Sequence, residues 1–291
     1  MDTVGVVGAG MMGSGIAEAV ALAGVRVVVH EPESAPLARS YERIDASLAK
    51  AVNRGKLDAD AAADAIDRIT HTTRLEDLIG SELVIEAVTE DRVTKMEVFR
   101  QLDQLLAPEV ILASNTSSIP ITTLARATSR GSRVLGLHFF SPVPVMAIVE
   151  VVPGYATSPG VIASTEAFAR QIGKHAIRAK DRAGFLVNLL LIPYLVSAVR
   201  LYDGGYAARE DIDDGMTLGC GHPMGPLALC DFIGLDVIEG ICASLHDEYG
   251  REEYAAPPLL RRMVAAGALG RKAGRGFYDY APARAAALAG R

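Results

Sequence analysis

Residues 4–31 read Val4-Gly5-Val6-Val7-Gly8-Ala9-Gly10-Met11-Met12-Gly13-Ser14-Gly15-Ile16-Ala17-Glu18-Ala19-Val20-Ala21-Leu22-Ala23-Gly24-Val25-Arg26-Val27-Val28-Val29-His30-Glu31. A short apolar run ends at Gly8, and Gly8, Gly10 and Gly13 then make a Gly-x-Gly-x-x-Gly stretch. Ser14 to Ala23 reads as a helix of small residues closed by Gly24, and Val25 to His30 is a second β-branched strand. Strand, glycine turn, helix, strand and an acid about 20 residues on form a dinucleotide-binding fingerprint. Gly8, Gly10, Met11, Met12 and Gly13 are the expected phosphate cradle, where a helix N-terminus offers free N–H groups. Glu31 is placed to take the adenosine ribose hydroxyls and to repel a 2′-phosphate, which favours NAD over NADP, with His30 beside it as a second influence.

Outward from this stretch the pattern continues. Glu33 to Asp67 is helical with a break at Asn53-Arg54-Gly55, and short apolar runs near Ile69 and at 83–88, 110–113 and 134–138 alternate with helical spans. Alternation of this kind means βαβ units and a mostly parallel sheet, whose ligands lie at the carboxyl ends of the strands. Those ends deliver Glu31, then Glu86 and Glu90, then Ser114-Asn115-Thr116-Ser117-Ser118, then His138-Phe139-Phe140-Ser141. Beyond about Lys180 strands become scarce, and 184–203, 233–249 and 258–266 read as helices. The expected fold class is α/β: a Rossmann-like sheet domain over 1–182, then an all-helical domain over 183–291 whose broad apolar faces suggest a homodimer.

The chain has 291 residues, half of them hydrophobic, with 29 Lys+Arg against 35 Asp+Glu for a net charge of −6. This balance excludes disordered and collagen-like classes, and without a basic block it argues against nucleic acid as a partner. Cys220, Cys230 and Cys242 fit neither a disulfide framework nor a zinc site, so no metal is expected. Met1-Asp2 leads into the first strand with no basic region before it, and no apolar run reaches 18 residues, so a secretory signal and a membrane span are not expected. A cytoplasmic location is expected.

The chain resembles the L-3-hydroxyacyl-CoA dehydrogenases, close to the bacterial 3-hydroxybutyryl-CoA type. The resemblance runs from Val4 to Tyr280 and is carried by the glycine stretch, Ala113-Ser114-Asn115-Thr116-Ser117-Ser118, His138-Phe139-Phe140-Ser141-Pro142, Gly184-Phe185-Leu186-Val187-Asn188, His222-Pro223-Met224-Gly225-Pro226 and Gly274-Arg275-Gly276-Phe277-Tyr278. It implies NAD-dependent oxidation of a short-chain 3-hydroxyacyl thioester to the 3-ketoacyl thioester. His138 is then the general base and Glu150 the carboxylate that orients it, the logic of a base held by an acid. Ser117 is implied to bond the substrate C3 oxygen, and Asn188 to bring an amide near the reacting oxygen or the nicotinamide.

By the same resemblance Glu90 and Lys95 match positions around the nicotinamide ribose and Asn115 a neighbouring polar contact, while Ser118 is a candidate cap for the following helix. Ser47 and Arg54 match a serine and a basic residue that hold the phosphate of coenzyme A, with Arg54 where a lysine is usual. Ser141 replaces the usual asparagine before Pro142, which puts acyl specificity in play. Two other readings stay open. One is the same chemistry on a group tethered to acyl carrier protein, for which Ser141 and Arg54 leave room. The other is a catalytically silent NAD-binding protein, which the intact set Ser117, His138, Glu150 and Asn188 speaks against.

Overall fold

The computed structural model describes residues Met1–Tyr280, so residues 281–291, the end of the expected helical region, lie outside the described residues. The chain divides into two compact units, one from Met1 to Phe185 and one beginning at Leu186. The first unit runs β1 (Thr3–Val7), α1 (Met11–Leu22), β2 (Arg26–His30), α2 (Ser34–Asn53), α3 (Ala59–Asp67), β3 (Ile69–Thr72), β4 (Leu83–Glu86), α4 (Arg92–Leu105), β5 (Ile111–Ser114), α5 (Ile121–Ala125), β6 (Val134–Phe139), β7 (Ile148–Pro153), α6 (Pro159–Gln171) and β8 (His175–Arg178).

All eight strands join one sheet in the order β3-β2-β1-β4-β5-β6-β7-β8. Chain order reverses between β1 and β4, and the crevice outside their carboxyl ends is where such sheets bind nucleotides. Pairing is parallel except for β6 with β7. The connection 140–147 is too short for a crossover helix, so β7 must return antiparallel.

Strand alternation divides the side chains between two cores. Leu83, Ile85, Ile111, Ala113, Leu135, Leu137, Phe139, Val149 and Val151 join the core packed under α1, α2, α3 and α6. Val84, Leu112, Val134 and Val152 join the other, under α4 and α5. By the same period of two, Glu86, Ser114, His138 and Glu150 face the α4–α5 side. One face of four neighbouring strands therefore turns polar, at the carboxyl ends of β4, β5 and β6 and in the first half of the antiparallel β7.

Three elements of this unit differ from the sequence expectation. Helix α1 starts at Met11 rather than Ser14, because Gly10 takes the N-cap position in extended conformation. Helix α6 and strand β8 were not expected. Their signal is Ser158 followed by Pro159: the Ser158 hydroxyl accepts from Val161 N, and proline at the first helical position is a start mark.

The second unit is helical: α7 (Val187–Asp203), α8 (Arg209–Cys220), α9 (Pro226–Ile233), α10 (Leu235–Tyr249) and α11 (Pro258–Ala265). The run 219–226 ends α8 and begins α9. Asp213 on α8 accepts from Leu227 N at 2.7 Å and Ala228 N at 2.9 Å, capping α9. A Cβ on Gly225 would lie 2.3 Å from the Asp213 side chain, which is why the motif has glycine there. Among the described residues no helix is long and apolar enough to cross a membrane, and no group of three His, Cys, Asp or Glu could hold a metal ion.

Candidate active site

The three fingerprint glycines have three distinct physical reasons. Gly8 has φ +104°, and a Cβ there would come within 2.6 Å of Ala87 O. A Cβ on Gly13 would lie 1.8 Å from Gly8 O, so α1 can pack on the turn only without one. At Gly10 a Cβ would meet nothing within 4 Å. That side of the loop is open, and the N-terminus of α1 behind it has no side-chain cap. Open backbone N–H groups at a helix start fit a pyrophosphate. Met11, highly exposed, and half-buried Met12 form the first turn over that opening.

Glu31 follows β2 and accepts from Ala9 N at 3.2 Å, which fixes its carboxylate against the glycine loop. Burial holds the neighbouring His30 below its ordinary pKa, outweighing the Glu31 charge. A neutral His30 offers no cation to a 2′-phosphate.

The base is built by register. In the antiparallel β6–β7 pair His138 lies directly opposite Glu150, which brings two residues 12 apart in sequence onto one face. Both are buried, and His138 Nδ1 lies 2.7 Å from Glu150 Oε2. An ionised carboxylate can only accept, so Nδ1 carries the proton and Nε2 keeps its lone pair. That lone pair faces Ser117 Oγ at 3.0 Å. Phe140 and Phe185 stand edge-on to the imidazole at centroid distances of 4.7 and 5.5 Å, holding its plane.

Ser117 is held from behind by Glu90. One oxygen of Glu90 accepts from Thr116 Oγ1 at 2.6 Å, Ser118 Oγ at 2.8 Å, Ser117 N at 3.0 Å and Ser118 N at 3.1 Å. Its other oxygen lies 3.3 Å from Lys95 Nζ. Lys95 is 1% exposed and also donates to Glu86 at 2.6 Å and to Val88 O at 3.2 Å. Desolvation would raise the Glu90 carboxyl, yet the Lys95 charge and the loop hydrogen bonds outweigh it and hold it below the usual carboxylate range. Glu86, fully buried, is pushed up by desolvation against the pull of Lys95, Ser114 Oγ and Val88 N.

The expected site residues thus fall into groups. Ser117, His138 and Glu150 form one hydrogen-bonded chain. Lys95 donates to two protein oxygens and lies within ion-pair distance of a third, so contact with a cofactor ribose would require exchanging one of these. Asn115 braces the site, its Oδ1 accepting from Phe139 N at 2.9 Å. Ser118 does not cap α5; Asp181 does, accepting from Ile121 N at 2.5 Å and Thr122 N at 2.8 Å.

Ser141 is exposed, with its hydroxyl 3.9 Å from Met11 Sδ, and it precedes a cis bond to Pro142. Ser47 donates to Glu18 at 2.8 Å, and Arg54 stands exposed at the C-cap of α2. Asn188 is buried in the first turn of α7, in the second unit. Glu86, Ser114 and Thr116 carry the site without having been singled out as site residues, although the strand-end rule had already pointed at their positions. The Gly276-Phe277-Tyr278 string is structural: Asp231 accepts from Phe277 N and Tyr278 N, both at 2.9 Å, and a Gly276 Cβ would lie 1.9 Å from Asp231 Oδ1.

Comparison with known proteins agrees with this geometry. Residues 3–182 match the family model for the 3-hydroxyacyl-CoA dehydrogenase NAD binding domain, and residues 184–280 match that for the C-terminal domain. A 3-hydroxybutyryl-CoA dehydrogenase of Mycobacterium tuberculosis is 50% identical over 282 residues, covering 96% of this chain and 99% of that protein. The crystal structure of M. tuberculosis FadB2 superposes with a TM-score of 0.94 at 51% identity, covering 96% of this chain and 98% of that one. That of (S)-3-hydroxybutyryl-CoA dehydrogenase PaaH1 from Ralstonia eutropha gives 0.91 at 45% identity, over 97% and 100%. The chain belongs to the 3-hydroxyacyl-CoA dehydrogenase family.

Proposed function

We propose that this protein catalyses the NAD-dependent, reversible oxidation of a short-chain L-3-hydroxyacyl-CoA, of the 3-hydroxybutyryl type, to the 3-ketoacyl-CoA. The observation that carries this reading is the chain Ser117 Oγ, His138 Nε2, His138 Nδ1, Glu150 Oε2, with separations of 3.0 and 2.7 Å, at the carboxyl edge of a dinucleotide-binding sheet.

Bound in the Gly8–Gly13 cradle with its ribose on Glu31, NAD would supply the hydride acceptor. The residues of the chain handle the proton. Ser117 positions the C3 hydroxyl, and His138 Nε2 takes its proton as the carbonyl forms. Glu150 stabilises the resulting imidazolium and keeps the ring from turning. In the reverse direction the same imidazolium returns the proton to the C3 oxygen. Asn188 is assigned as a substrate amide, Ser47 and Arg54 as holders of the carrier's terminal phosphate, and Ser141 as a contact that tunes acyl choice. Homodimerisation through the helical unit belongs to the same reading.

The test is a panel of acetoacetyl-CoA and acetoacetyl-acyl carrier protein, each with NADH and NADPH. Turnover is expected with acetoacetyl-CoA and NADH, with NADPH at least tenfold poorer on account of Glu31, a loss of about 1.4 kcal/mol. Preference for the carrier-protein thioester would move the assignment to that substrate. Absence of turnover with every thioester would overturn it.

A further inference from the structure

Helix α1 packs its small and apolar residues Ile16, Ala17, Val20 and Ala21 into the sheet core, and in the same helix Glu18 is only 4% exposed. An isolated buried carboxylate is costly unless it is partnered or protonated. Glu18 has a thin partnership. From α2, Ser47 Oγ donates to its Oε1 at 2.8 Å. From the turn between α6 and β8, Lys174 acts on it by charge, but the Lys174 ammonium is itself bonded to Val143 O and Met146 O, each at 2.7 Å. Burial therefore prevails, and the Glu18 carboxyl is pushed up to about 7, with Ser47 and Lys174 opposing. Lys174 in turn is lowered by burial and raised by Glu18.

Ser47 is the residue assigned above to the carrier's phosphate, and the inference rests on that reading. A serine hydroxyl has one proton. While Glu18 is ionised it takes that proton, and Ser47 turns only lone pairs toward a phosphate oxygen. Phosphate and carboxylate would then stand as like charges on two sides of one hydroxyl. With Glu18 protonated the direction reverses: the carboxyl donates to Ser47 Oγ, and Ser47 donates to the phosphate. One proton is taken from solvent, and no hydrogen bond is lost.

We propose that Glu18 is a proton-linked specificity residue, through which capture of the terminal phosphate of coenzyme A by Ser47 requires uptake of one proton. It acts through Ser47, so it is a positioning residue and not part of the reaction chemistry. If the phosphate binds only to the protonated form, the Kd for coenzyme A rises about tenfold from pH 6 to pH 8, with uptake of about half a proton at pH 7.

The experiment is calorimetric titration of the protein–NAD complex with coenzyme A and with dephospho-coenzyme A at pH 6, 7 and 8, in two buffers of different ionisation enthalpy. Wild type is expected to show the tenfold rise and the proton uptake with coenzyme A, and neither with the dephospho form. Glu18→Gln, whose amide donates to Ser47 at every pH, is expected to bind coenzyme A tightly at pH 8 without the extra uptake. That is a gain, which a damaged fold would not produce. Ser47→Ala should bind weakly and evenly across pH.

The inference is overturned if Glu18→Gln keeps the wild-type pH dependence, or if dephospho-coenzyme A shows it too. Reduction of acetoacetyl-pantetheine by NADH, followed on the same preparations, tests the catalytic reading separately. Turnover there without pH-linked coenzyme A affinity would defeat the role of Glu18 alone.

Discussion

Two regions of the sheet domain use the same three residue types and arrive at opposite electrostatic states. Behind Ser117, Lys95 lies 2.6 Å from Glu86 and 3.3 Å from Glu90, and the Ser117 loop gives Glu90 four further hydrogen bonds. Behind Ser47, Lys174 directs its bonds to two carbonyl oxygens, and Glu18 receives one hydroxyl at 2.8 Å. Desolvation opposes charge in both places. Behind Ser117 it loses at Glu90 but lifts Glu86 despite Lys95, and behind Ser47 it wins at Glu18, whose carboxyl is pushed up to about 7. Burial alone therefore does not set the charge of a carboxylate; the count and direction of its partners does. The first region holds a serine still, whereas the second leaves a serine under the control of a proton.

The largest effect is expected where the rigid region meets the chemistry. Replacing His138 by Gln keeps a donor toward Glu150 but removes the base, and kcat should fall about 10³-fold while NADH affinity stays the same. Steady-state kinetics with acetoacetyl-CoA, together with NADH fluorescence titration, measure both. A kcat within tenfold of wild type would remove His138 from the mechanism.

Next comes a direct break of the contrast between the two lysines. Lys95→Met strands Glu86 and Glu90 without their cation, a loss of about 3–5 kcal/mol for a buried pair. Lys174→Met leaves two carbonyl oxygens short and a carboxyl that can simply take up a proton, a loss of about 1–3 kcal/mol. The folded-state pKa of Glu90 is depressed, so its stabilisation exists above the ordinary carboxylate range and disappears as pH falls through the folded value. The Lys95→Met deficit in urea unfolding should accordingly be large at pH 7 and shrink toward pH 4. Equal deficits for the two lysine variants at pH 7 would erase the distinction.

Much of this arrangement is readable from the chain, and the parts that are not have identifiable causes. Period-two alternation around Val84, Leu112 and Val134 and the glycine stretch suffice for the central strands and the crevice. The edge strand His175–Arg178 escapes because its residues are exposed or half-buried and carry no apolar alternation. Helix α8 escapes because one residue of its twelve, Asp213, is buried. Within the site, strand ends point to His138 and Ser117, but the opposition of His138 to Glu150 depends on β7 returning antiparallel, a matter of register. Lys95 looks like a surface lysine at a helix start, and only the folded chain reveals that its charge is buried between two carboxylates. Glu18 is visible as an acid in a small-residue helix, yet which face it occupies follows from packing against α2.

The smallest effect separates the two regions most cleanly. In the folded chain burial pushes the Glu18 carboxyl up to about 7, from an ordinary glutamate value of 4.5. A raised pKa means that the folded state binds the proton more tightly than the unfolded chain does. Its contribution is fully present below about pH 4.5 and is lost as pH rises through about 7, by at most about 3 kcal/mol. Glu18→Gln has no proton to lose, so it should match wild type at pH 4 and exceed it by up to about 3 kcal/mol at pH 8. Urea unfolding at the two pH values measures the difference. The sign matters more than the size: Lys95→Met should be worst at neutral pH and recover in acid, while Glu18→Gln should gain only on the alkaline side. A Glu18→Gln variant less stable than wild type at pH 8 would mean that the ionised carboxylate is satisfied where it stands, and the two regions would then be alike.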